Sequence, residues 1–216
     1  MRLGILVSGR GSNLEAVLDA WHAGHLRNTH PALVISNRPG VRALEVADRH
    51  HVPRRVLERR DYPDAGARDD AIGQAFAEAG CNLVLLAGYD QLLRPAYFDA
   101  FRGPTINIHP SLLPRHGGAG MMGLAVHRSV LAAGDPESGV SIHRVTPDLD
   151  AGPILAQARV PVLAVDDAES LARRVLQVEH RLLVDTLANL PAAGLPDLAS
   201  ASMTDRPVTV EATESG

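Results

Sequence analysis

Apolar runs of strand length near residues 2–7, 31–36, 53–57, 82–87 and 104–109 are interleaved with helical patterns over 12–24, 41–50 and 67–79. Nothing else in the chain limits its fold so tightly. Strands joined through helices run parallel, because returning to the same end of a sheet needs a crossover of about a dozen residues or more. The spacing therefore predicts an α/β fold with a Rossmann-like, mostly parallel sheet and helices on both faces. Residues 124–133 read as a helix stopped by Gly134-Asp135, and 138–145 then faces 153–162 across Pro147 to Gly152, an antiparallel C-terminal extension. A last helix over 167–190 carries Leu171, Val175, Val178 and Leu182 on one stripe. The Pro-, Ala-, Ser- and Thr-rich tail, 191–216, is expected to be loosely ordered. One domain is expected over 1–190, with lobes of about 1–100 and 101–190.

Composition narrows the chemistry. The net charge of −4 and the lack of a basic block argue against a nucleic-acid surface. All 21 basic residues are Arg, which excludes Schiff-base chemistry and a Walker-type phosphate lysine. Any phosphate has to be held by backbone N–H groups, hydroxyls or Arg. Cys81 is the only cysteine, so no internal disulfide forms. Ten histidines show no ligand spacing, and no metal is expected. Residues 1–7 are too short a run for a signal peptide, and no apolar run spans a membrane, so a cytoplasmic location is expected.

Two distant stretches make one chemical proposal: Thr105-Ile106-Asn107-Ile108-His109-Pro110 and Asp148-Leu149-Asp150-Ala151-Gly152. Period-2 alternation sends Asn107 and His109 out of one face at a strand's carboxyl end, where open α/β sheets bind ligands. A carboxamide and an imidazole can stabilise an oxyanion and move a proton, but neither is a strong nucleophile. That suits direct acyl transfer to an amine. Taken singly, such an Asn caps a turn and such a His is satisfied or exposed.

NIHPSLLP at 107–114, HRVTPDLDAGPI at 143–154 and SGRGSN at 8–13 together resemble the folate-dependent formyltransferases, over about residues 2–190. The resemblance is to members that formylate phosphoribosylglycinamide in de novo purine synthesis with 10-formyltetrahydrofolate as co-substrate. It implies the formyltransferase fold, an N-terminal phosphate-binding lobe and a folate and catalytic lobe. It also implies Asn107, His109 and Asp150 as the catalytic trio, with Asp150 favouring a protonated His109. Both substrates are small molecules; neither nucleic acid nor membrane is implied as a partner, and a monomer or homodimer is expected.

The SGRGSN loop follows the first strand and opens the first helix, so its backbone can meet an anion. A tight turn capped by Ser12 or Asn13 fits it equally well. By resemblance Gly11, Ser12 and Asn13 hold the substrate phosphate, and Glu179 meets the ribose; on its own Glu179 reads as a solvated helix charge. The folate pocket is implied for Arg68, Asp90, Gln91, Leu92, Leu93, Asn107, Thr146, Pro147, Asp148, Leu149 and Asp150, largely through backbone groups. Relatives often carry Met-Arg where this chain has Asp90-Gln91. Arg68 stands near a helix start, where it opposes the dipole and is suited to an anion. The Gly-rich loop 115–123 reads either as a cover over the reacting groups or as a surface insertion. A sugar-nucleotide formyltransferase and a non-catalytic mononucleotide-binding module remain as alternatives. Methionyl-tRNA formyltransferase would need a further RNA-binding domain, and formyltetrahydrofolate deformylase a preceding regulatory one.

Overall fold

Apolar residues fill the early strands so evenly that both faces of each must be covered. In the computed structural model, β1 (Arg2–Val7) is buried from Leu3 onward, β2 (His30–Ser36) from Pro31 onward, and β4 (Leu83–Leu86) throughout. The structure describes residues 1–191 and Leu195. The expectation of a loose tail falls outside the described residues.

The chain divides into two compact units, which part between Ile106 and Asn107. In the first, β1 pairs in parallel with β2 and β4, and β2 with the short β3 (Arg54–Val56). β1 is central because the chain adds β2 and β3 on one side and then returns to place β4 on the other. In open α/β sheets such a reversal is where ligands bind, beyond the strands' carboxyl ends. Helices α1 (Ser12–His22), α2 (Arg42–Arg49), α3 (Ala65–Glu78) and α4 (Pro95–Ala100) complete the unit. α1 buries Leu14, Val17 and Leu18, and α3 buries Ile72 and Phe76. Burying such a side chain contributes about 1.5–3 kcal/mol.

Two local features depart from the sequence reading. α3 begins two residues before 67, because the Asp64 side chain accepts from the Ala67 N–H at 2.8 Å and caps the helix there. α4 was not foreseen: six residues starting at Pro95 are too short to show helical periodicity.

β5 (Thr105–His109) runs across the division, with Asn107 to His109 in the second unit. There β6 (Glu137–Arg144) and β7 (Ile154–Pro161) pair antiparallel, with Val140 opposite Ala158 and Ser141 opposite Gln157. The strand order is β3-β2-β1-β4-β5-β6-β7, the mostly parallel sheet with an antiparallel end that the sequence predicts. α5 is Leu124–Ala133, and α6 (Ala168–Asn189) buries the expected stripe of Leu171, Val175, Val178 and Leu182.

Candidate active site

Along β5, Ile106 and Ile108 are buried on one side while Asn107 and His109 point to the other. Pro110 has no N–H to extend the ladder, so the strand stops just past His109. The Asn107 Nδ2 donates to His143 Nε2 at 3.0 Å, and the His143 Nδ1–H donates to the Arg144 carbonyl at 3.0 Å. The second hydrogen of the Asn107 amide remains available for another acceptor.

Asp150 lies against both rings, with Oδ2 3.9 Å from His109 Nδ1 and Oδ1 3.5 Å from His143 Nε2. It occupies a turn at a positive φ of +52°. That turn folds tightly back on β6: a Cβ on Gly152 would sit 1.8 Å from the Arg144 carbonyl oxygen, so only glycine fits. Burial raises the Asp150 carboxyl pKa, but His143, the Gly118 N–H and His109 together hold it below the ordinary value. Asp150 is therefore ionised at neutral pH.

His109 is 4% exposed, and its Nε2–H donates to the His116 carbonyl at 2.9 Å. Burial pushes its pKa down, and the opposing effects of the His116 carbonyl and Asp150 do not restore it. Asp150 does favour the protonated ring, as expected, but burial opposes it. Desolvation of the charged ring outweighs a carboxylate at 3.9 Å, and His109 rests neutral with its Nδ1 lone pair toward Asp150.

The Gly-rich loop is built into this arrangement. The His116 carbonyl binds His109, and the Gly118 N–H donates to Asp150 Oδ2 at 2.8 Å, so the loop touches two of the three trio members. A passive surface insertion would not. The 146–149 segment is pinned by the Thr146 hydroxyl on the Asp148 carbonyl at 3.0 Å, while Pro147, Asp148 and Leu149 are exposed. Glu179, on α6 in the same unit, is 8% exposed, which corrects its reading as a solvated charge.

In the first unit, three groups tie back the carbonyls of residues 8–10. Arg38 Nη1 donates to Ser8 at 3.3 Å, the Ala43 N–H to Gly9 at 3.1 Å, and Arg42 Nη1 to Arg10 at 3.2 Å. Gly11 stands at the N-cap of α1 with φ +73°, and a Cβ there would lie 2.7 Å from that of Ala43. No side chain caps α1, contrary to the capped-turn alternative, and the buried Asn13 Oδ1 has no hydrogen-bond partner. The uncapped N–H groups lie at the positive end of the helix, where an anion is favoured.

Beyond β4, the Asp90 carboxylate accepts from Asn37 Nδ2 at 3.0 Å and pairs with Arg38, while its N–H donates to Ser8 Oγ at 3.0 Å. Arg68 is wholly buried. Its Nη2 meets the equally buried Asp69 at 2.6 Å, and its Nη1 meets Gln91 Oε1. Near the helix start, where Arg68 was read as suited to a ligand anion, the guanidinium instead forms an internal ion pair. Its charge is neutralised inside the fold, where an unpaired guanidinium would be too costly. Leu92 is half exposed and Leu93 buried. Among the described residues no group of three or more His, Cys, Asp or Glu side chains is placed to hold a metal ion, and no helix is long and apolar enough to cross a membrane.

Sequence reasoning missed His143, His116 and Asp135 as parts of this site. Period-2 spacing along the strand that ends at Arg144 could have singled out His143; no local pattern marks the other two.

A doubly wound α/β sheet with an Asn, His and Asp converging at a strand's carboxyl end defines the class, and the chain belongs to the formyl transferase family, whose pattern matches residues 1–187. It is 33% identical over 209 residues to the phosphoribosylglycinamide formyltransferase of Haemophilus influenzae, covering 90% of this chain and 96% of that protein. It is 37% identical over 190 residues to the trifunctional purine biosynthetic protein adenosine-3 of Drosophila melanogaster, covering 88% of this chain but only 14% of that protein. The crystal structure of glycinamide ribonucleotide transformylase 1 from Symbiobacterium toebii matches with a TM-score of 0.81 and 39% identity, covering 87% of this chain and 86% of that one.

Proposed function

We infer that this chain is an enzyme that transfers the formyl group of 10-formyltetrahydrofolate to the primary amine of phosphoribosylglycinamide, a step of de novo purine biosynthesis in the cytoplasm. The observation that carries the reading is the convergence of Asn107, neutral His109 and ionised Asp150 in the second unit. The amine attacks the formyl carbon and makes a C–N bond, and the carbonyl electrons move to oxygen. The free Asn107 amide hydrogen donates to that oxyanion. The amine proton passes to the His109 Nδ1 side, where Asp150 stabilises the imidazolium as it forms; 3.9 Å exceeds a direct hydrogen bond and suits a single bridging water. Collapse breaks the bond to the folate nitrogen, which takes up the proton. No covalent enzyme intermediate and no metal takes part.

The substrate phosphate is assigned to the N–H groups of Gly11, Ser12 and Asn13 at the uncapped start of α1, and its ribose to Glu179. The folate pterin is assigned to backbone groups of residues 91–93 and 146–150. Arg68 and Gln91 hold the first of these segments in shape, with Asp90 locked by Arg38.

The test compares formyl transfer to phosphoribosylglycinamide and to a sugar-nucleotide amine, each with a strong chelator present. Turnover of the ribonucleotide alone is expected. Turnover of the sugar nucleotide alone would assign a different acceptor, and phosphate-ligand binding with no turnover of either would reduce the chain to a binding module.

A further inference from the structure

His116 has no place in the trio, yet it contacts the trio through its backbone. It is one of three non-glycine residues at positive φ among the described residues, at +55°. An ordinary side chain disfavours that conformation, so something has to hold it. The ring does so at both nitrogens: Nδ1 lies 2.8 Å from Ser129 Oγ on α5, and Nε2 lies 2.8 Å from Asp135 Oδ2 just beyond that helix. The side chain is 11% exposed, and Arg115 Nη2 also pairs with Asp135 at 2.5 Å. The hydrogen bond from His116, with Arg115 beside it, keeps the Asp135 carboxyl below its ordinary pKa. On the backbone side, the Ser111 hydroxyl donates to the neighbouring Arg115 carbonyl at 2.8 Å. With ring and backbone both held, the His116 carbonyl is aimed at His109 Nε2.

We propose that His116 is a positioning residue: clamped by Ser129 and Asp135, it presents its carbonyl to His109 and so fixes the tautomer that leaves the Nδ1 lone pair toward Asp150. Without the clamp, the neutral imidazole of His109 can place its proton on Nδ1, where it would hydrogen-bond toward Asp150. That tautomer has no free lone pair on the Asp150 side to receive a proton. The role in turnover rests on the proposed formyl transfer; the tautomer does not.

The experiment therefore reads both. ¹⁵N shifts of the His109 ring nitrogens report the tautomer in the wild type, His116→Ala, His116→Asn and Ser129→Ala, alongside kcat, KM and thermal midpoint. In His116→Ala the Nδ1–H population of His109 should rise and kcat fall by about 10- to 10²-fold, with KM nearly unchanged. His116→Asn tolerates positive φ and should recover most of the Nε2–H tautomer and of kcat. Ser129→Ala removes one ring contact only and should drift the same way by less, which keeps the test open if His116→Ala does not fold. A lowered midpoint with the His109 tautomer and kcat unchanged would make the clamp purely structural and overturn the proposal. A tautomer shift in a protein inactive on phosphoribosylglycinamide would uphold the positioning and remove the assigned reaction instead.

Discussion

His109 turns Nδ1 toward Asp150 Oδ2 at 3.9 Å while Nε2 stays bonded to the His116 carbonyl, so the ring has one nitrogen occupied and one facing a negative charge. Burial keeps this imidazole neutral at rest, and the carboxylate makes its protonation affordable in passing.

Asp150→Asn keeps the shape of the turn and removes the charge. The carboxylate raises the His109 pKa, so its loss should lower that pKa further below the ordinary value of about 6.5. Because the neutral ring is the active form, wild-type kcat/KM should fall as pH drops through the depressed His109 value, and the variant's acid limb should lie at still lower pH. The kcat at neutral pH should fall by about 10²-fold or more, since the forming imidazolium loses its partner. NMR titration of His109 beside pH-rate profiles checks both; an unchanged rate would take Asp150 out of the mechanism.

Ser12→Glu places a negative charge at the uncapped N-terminus of α1, beside the unpartnered Asn13 oxygen. The KM for phosphoribosylglycinamide should rise by about tenfold or more, because the helix end then meets its own anion. Titration with a folate analogue should give a nearly unaltered affinity. Equal loss of both ligands would show that the loop serves another pocket.

Asp166, at the start of α6, pairs with Arg174 and accepts from the Leu163 N–H at 2.8 Å and from Ser170 Oγ at 2.9 Å. Arg174, the largest influence, holds its carboxyl well below the usual carboxylate range. A depressed folded-state value contributes stability that is fully present above the unfolded pKa of about 3.9 and is lost as pH falls through the folded value. Asp166→Asn should therefore lower stability near pH 7 by about 1 kcal/mol, with Arg174 partly screened by water. Urea unfolding should show that gap closing at strongly acid pH; a gap independent of pH would place the effect elsewhere.

Much of the frame was legible in residue order. Period-2 spacing put Asn107 and His109 on one face of β5, Pro110 marked its end, and Gly11-Ser12-Asn13 marked the start of α1. What escaped depends on contacts between residues far apart in the chain. His116 meets Ser129 and Asp135 across 13 and 19 residues, and no propensity or spacing encodes that meeting. Arg68 was read as suited to a ligand anion because a sequence shows its charge but not the neighbouring Asp69 and Gln91 that engage it inside the fold.

By itself, then, the sequence determined the βαβ framework, the shared face of Asn107 and His109 on β5 and the glycine turn that opens α1, because periodicity, turn chemistry and side-chain type are local properties. Only the tertiary structure decided that His109 rests neutral, that Arg68 is neutralised by Asp69, and that the loop at 116–118 holds both His109 and Asp150. Burial and long-range contact set the free energy of a charge, and both exist only once the chain has folded.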